Sequence, residues 1–210
     1  MAWRMRHRVL LKLLGITAFM WVFFALYFYL LRHPSRPVLV MPLTALDRAI
    51  PFQPQAFVAY ASLWLYVGFP VGLMLSLREA LRYGAWMASL CAVGLACFYL
   101  LPTAVPPFDF SGVDLGHSGM ALLQGVDAAG NACPSLHVAS ATFTAVWVHR
   151  LLQLTSARPV WFVLNASWAA LIVYSTLAIK QHVAIDVAAG AVLALAFAWP
   201  SMHWHPPAVR

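Results

Sequence analysis

Residues 9–31 read VLLKLLGITAFMWVFFALYFYLL, an apolar run interrupted by a single charge, Lys12. A helix needs roughly 20 apolar residues to cross the hydrocarbon core of a bilayer, so this run reads as a transmembrane helix. It is too long for the apolar region of a signal peptide, and no small-x-small cleavage site follows it. It is therefore expected to stay on the chain as a signal anchor. Further along, comparable candidates lie at 57–77, 84–101, 134–154, 159–178 and 182–200. The expected fold class is all-α, a polytopic membrane helix bundle of about six transmembrane helices, with residues 1–210 forming one domain.

Composition agrees with that reading. The chain is 63% hydrophobic and only 9% charged, with a mean hydropathy of +0.79, whereas soluble domains are usually about 25% charged. A soluble globular fold is excluded. The net charge is +7, and most of the charges sit between apolar runs, so the expected partners are membrane lipid headgroups and an anionic substrate, with no nucleic acid. Cys91, Cys97 and Cys133 form neither a disulfide framework nor a paired-cysteine zinc pattern.

Charge placement predicts orientation. Arg4, Arg6, Arg8, Lys12, Arg78, Arg82, Arg150, Arg158 and Arg210 fall on one side, while Arg32, Arg36, Arg48 and Lys180 share the other side with most of the acids. The positive-inside rule then puts both termini in the cytoplasm. The connections at 33–56 and 102–133, rich in Pro and Gly, face outward together with a short turn at 175–181. The expected location is the inner (plasma) membrane of a bacterium, with the site facing the periplasm or exterior.

Two stretches carry chemistry. In Asn131-Ala132-Cys133-Pro134-Ser135-Leu136-His137, Pro134 suits a first helical position. Ser135 and His137 then lie in a first turn whose free N–H groups and dipole favour an anion such as phosphate. In the second stretch, from Ser175 through Lys180 to His182 and Asp186, the i,i+4 spacing lets the Asp186 carboxylate orient the His182 ring and leave its other nitrogen free to attack. The bland reading of that pair is a helix-stabilising contact, yet a carboxylate at membrane depth costs roughly 2.5–3.5 kcal/mol and marks a functional site by default. A histidine hydrogen-bonded at a helix end is the bland reading of His137. The topology nevertheless brings His137, Lys180 and His182 to one membrane face. A zinc site from His117, His137, His182 and Asp186 lacks any compact ligand spacing, so no metal and no cofactor is expected.

These residues resemble the type 2 phosphatidic acid phosphatase superfamily, whose motifs are K-x6-R-P, P-S-G-H and S-R-x5-H-x3-D. Pro134-Ser135-Leu136-His137 is similar to the second motif, and Ser175-Thr176, His182 and Asp186 reproduce the spacing of the third. The resemblance implies a covalent mechanism in which His182 attacks phosphorus, Asp186 orients it and His137 protonates the leaving oxygen. Ser135, Ser175 and Lys180 would contact phosphate. The chain departs from the pattern at Tyr99 and Pro106, where the first motif has its lysine and arginine, at Leu136 and at Thr176. A cation-poor site of this kind favours diesters or headgroup transfer over monoesters. Residues 42–47 and 50–54, with Lys180-Gln181-His182, also resemble the inositol-phosphorylceramide-synthase-like branch. The expected function is lipid phosphatase, with lipid phosphotransferase second and a non-enzymatic transporter or scaffold as the reading of another class.

Overall fold

In the computed structural model, which describes residues 9–74, 76–109 and 130–204, the first apolar run forms α1 (Val9–Arg32), 24 residues long. At 1.5 Å per residue it rises about 36 Å, enough to cross a core of roughly 30 Å. The following connection carries β1 (Leu39–Val40), the short helix α2 (Ala45–Ala49) and a 3-10 turn at Pro54–Ala56. That turn runs through α3 (Phe57–Ala61) into α4 (Leu63–Leu73), and α5 (Leu77–Leu100), β2 (Thr103–Ala104), α6 (Leu136–Leu154), α7 (Pro159–Ala178) and α8 (Ala184–Trp204) follow.

Five helical segments among the described residues are long and apolar enough to cross a membrane: Leu10–Arg32, Pro54–Leu73, Leu77–Leu100, Pro159–Ala178 and Ala184–Trp204. The chain is an all-α membrane bundle, as its sequence predicts. α6 has a spanning length of 19 residues but is not among the five, because it carries Ser140, Thr142, Thr144, His149, Arg150 and Gln153. The packing explains how it tolerates them. α6 is central, packed against α4, α5, α7 and α8, with Val138, Phe143 and Trp147 fully buried. Much of its surface therefore meets protein, not lipid, and its polar groups find partners: Ser140 Oγ donates to Leu136 O at 2.7 Å, and Thr144 shares a 2.9 Å bond with Tyr83 Oη.

Several boundaries differ from the hydropathy reading. The third span starts at Leu77, not at residue 84, with Arg78, Glu79 and Arg82 in its first turns. Long basic side chains lie along a helix and carry their heads to the interface, so charges that look like a loop are helical. The preceding helix correspondingly stops at Leu73.

The connections at residues 33–56 and 102–109 are stitched together. β1 and β2 pair in parallel, Leu39 opposite Thr103 and Val40 opposite Ala104, and Ala104 bridges Gly130. Gln53 N–H donates to Ala178 O at 2.9 Å, which brings the α7–α8 turn to the same end of the bundle. There α8 approaches the start of α6 very closely: a Cβ on Gly190 would fall 2.4 Å from the Ser135 carbonyl oxygen. Only a residue without a side chain permits that approach.

Candidate active site

The N-terminus of α6 is built on Ser135. This residue takes an extended conformation and caps the helix, its Oγ accepting the Val138 N–H at 3.2 Å. Pro134 is therefore not the first helical residue but stands one position before the cap. Serine wins that boundary because its oxygen satisfies a free N–H of the first turn. Ser135 is fully buried, and its own N–H donates to the Asp186 carbonyl oxygen at 3.0 Å, tying the start of α6 to the first turn of α8.

His137 follows in the first turn of α6. Its ring stacks on Tyr60, centroids 3.9 Å apart at 8°, and meets Trp64 edge-on at 5.9 Å. Nε2 lies 3.0 Å from the Tyr60 carbonyl oxygen. A carbonyl only accepts, so Nε2 carries the proton and Nδ1 is the ring atom left to exchange one. Tyr60 and Trp64 escaped the sequence reading, since no motif links them to a histidine so far along the chain.

His182 is delivered by the turn that ends α7. Lys180 adopts φ 60, its N–H donates to Leu177 O, and the Gln181 and His182 N–H groups both reach Thr176 O at 3.0 and 3.1 Å. This is the Schellman closure, with lysine at the position glycine usually takes. One turn on, Asp186 Oδ2 accepts the Val183 N–H at 3.0 Å and stands 3.6 Å from His182 Nδ1. Among the described residues, His182 Nδ1 and Asp186 Oδ1 are buried without a hydrogen-bond partner.

Lys180 points away from a free-cation role. Its Nζ donates to the carbonyls of Asp47 and Ile50, at 3.0 and 2.5 Å, and burial holds its amine below the usual lysine value, with the Asp47 charge opposing. Asp47 completes the clamp: Oδ1 accepts the Ala184 N–H that opens α8 at 2.8 Å, while Oδ2 closes a capping box with Thr44. Burial works against this carboxylate, but hydrogen bonds from Thr44 and Ala184 and the Lys180 charge outweigh it and hold its pKa below the usual value. Thr44-x-x-Asp47 was readable as a capping signature; its bond to α8 was not.

Ser175, expected beside phosphate, is fully buried. Its hydroxyl donates back to Ile172 O at 2.6 Å within α7. His117 lies outside the described residues. Arg32, Arg36 and Arg48 are exposed.

His137 and His182 nevertheless come together. Both line one cavity of about 1080 Å³, with Gln181, Asn131, Ser140 and Tyr60 at the same end. Asp186 stands behind His182, so two imidazoles, one of them with a buried carboxylate 3.6 Å from its ring, line one cavity. Such a site has the parts for a nucleophile and a proton carrier acting on one substrate.

A family model described as PAP2 superfamily matches residues 101–210, a stretch that holds Pro134 to His137 and His182 to Asp186. No curated protein and no solved structure matches the chain.

Proposed function

Because this chain belongs to the PAP2 superfamily, whose members are phosphatases or phosphotransferases, we propose that it is a membrane lipid phosphatase working through a phospho-histidine intermediate. The observation that carries the reading is the meeting of His137 and His182 in one cavity, with Asp186 against His182. Asp186 takes the Nδ1 proton of His182 as a hydrogen bond, which leaves the Nε2 lone pair for phosphorus. The new N–P bond forms as the P–O bond to the lipid breaks, and His137, entering the step beside the anionic phosphate as an imidazolium with both ring nitrogens protonated, gives the Nδ1 proton to the departing oxygen and keeps the Nε2 proton on the Tyr60 carbonyl. His137 then accepts a proton from water as that water attacks phosphorus and returns the His182 ring. Tyr60 holds the far side of the His137 ring throughout, so the proton moves at a fixed place.

Ser135 supports phosphate through the N-terminal turn it caps, more than through its hydroxyl, whose oxygen already accepts a helix N–H. With the Lys180 amine engaged on two carbonyls, this wall has no uncommitted described lysine beside the histidines. That observation favours a second reading: a singly charged diester is the donor, a lipid hydroxyl replaces water, and the enzyme is a phosphotransferase of the inositol-phosphorylceramide-synthase-like branch. Both readings place the site on the periplasmic or outer face of a bacterial inner membrane, from the charge distribution. Purified protein given phosphatidic acid or a phosphodiester lipid, with and without a hydroxyl-bearing acceptor lipid, separates them. Phosphate release independent of acceptor supports hydrolysis; headgroup transfer that requires acceptor supports the second; neither from any lipid overturns both.

A further inference from the structure

The cavity that holds His137 and His182 does not stop at the histidines. It continues between α1, α4 and α5 to Leu11 and Lys12 at the far end of α1, along walls that include Ile16, Phe23, Val67 and Met87. We infer that this extension is the bed for the substrate's hydrocarbon chain, and that Gly15, Gly84 and Lys12 set the length of chain it accepts. The inference rests on the lipid substrate proposed above and adds to it a chain-length limit.

Its depth is the first argument. At the site end, Asn131 Nδ2 donates to the Tyr27 carbonyl of α1 at 3.0 Å. From Tyr27 down to Lys12 is about fifteen residues, about 22 Å at the helical rise. Half the hydrocarbon core is only about 15 Å. A chain held in this bed therefore extends past the bilayer midplane, which a binding site for the headgroup alone has no reason to provide.

The second argument is vacancy. Gly15 on α1 and Gly84 on α5 both line the cavity, and a Cβ at either would meet nothing within 4 Å. A glycine inside a helix is unfavourable relative to alanine, and here neither is required by a close neighbour, so both keep space open at the deep end. The third is the floor. Lys12 is buried, and its Nζ donates to the Gly72 carbonyl at 3.3 Å. A cationic group held there is a poor neighbour for a methyl end and stops the chain. Since lipid tails are as apolar as the bed, selection comes from fit along this length and not from hydrophobic transfer.

The test uses the full-length protein in lipid nanodiscs and phosphatidic acid with a photoactivatable diazirine at the tail end of one long acyl chain. Crosslinks are expected within residues 11–16 and 81–88. Gly84→Leu and Gly15→Leu should each lower the long-chain to short-chain ratio of kcat/KM by at least tenfold. Crosslinks confined to the outer face of α7, or an unchanged ratio in both variants, overturn the bed while leaving the proposed chemistry intact. Crosslinks at 11–16 and 81–88 in a protein that cleaves no lipid would uphold the bed and sink the chemistry instead.

Discussion

His182 Nδ1 stands 3.6 Å from Asp186 Oδ2, just beyond hydrogen-bond length, with both groups buried. Catalytic hydrogen bonds in ligand-free sites are often long and tighten when substrate binds. Leaving a buried polar group without a partner costs about 1–3 kcal/mol, so a substrate that draws His182 toward Asp186 recovers part of that cost as binding. Asp186 also accepts the Val183 N–H, and the two roles separate in variants.

Asp186→Asn keeps an oxygen for the Val183 N–H but cannot stabilise positive charge on the His182 ring. Activity should fall about a thousandfold or more, by the logic of a triad aspartate, while stability changes by about 1 kcal/mol or less. Thermal unfolding and phosphate release on the same preparation check both. Near-normal turnover would reduce Asp186 to a helix cap.

His137→Ala should cripple substrates that need a proton on the leaving oxygen more than those that do not. The loss on a lipid phosphate ester is expected to exceed the loss on a nitrophenyl ester by at least tenfold. Equal losses on the two would remove the general-acid role.

Asp47 joins the loop at 44–50 to the first turn of α8 through Ala184, and its carboxyl is held below the usual value by Thr44, Ala184 and Lys180 against the effect of burial. A depressed carboxylate pKa gives stability that is present above the unfolded value of about 3.9 and is lost as pH falls through the folded value. Wild type should therefore lose unfolding temperature on acidification below about pH 4 more steeply than Asp47→Asn. Parallel curves would show that the clamp does not depend on charge.

How much of this was readable in the sequence depends on distance along the chain. Five of the spans, within shifted boundaries, and the one-turn spacing of His182 and Asp186 follow from local periods of apolar and polar residues, and these were legible. The clamp between Asp47 and Ala184 and the seat of His137 on Tyr60 join residues far apart, and no local pattern encodes them. Ser175 shows another limit: a serine near a helix end looks like a free hydroxyl, but within a helix it readily bonds back to a carbonyl, here Ile172 O. Lys180 looked like a phosphate cation because its neighbours in sequence are catalytic candidates, whereas its partners lie in the α2 connection.

Cys133 offers a measure of sidedness. Burial first, and then the nearby Asp186 charge, push its thiol up to about 11, so its thiolate is scarce at neutral pH and its labelling should speed up about tenfold per pH unit below that value. In a background lacking Cys91 and Cys97, an impermeant thiol reagent at alkaline pH should label Cys133 in intact cells. Labelling only after permeabilisation would turn the site to the cytoplasmic face.

The central claim is that phosphorus becomes bonded to His182 during turnover. Purified protein mixed briefly with a lipid carrying radiolabelled phosphate and then quenched should hold label that is stable in base, lost in acid and mapped to His182, with none on His182→Ala. Turnover by wild type with no acid-labile label at any time point, or the same label persisting in His182→Ala, would contradict the account.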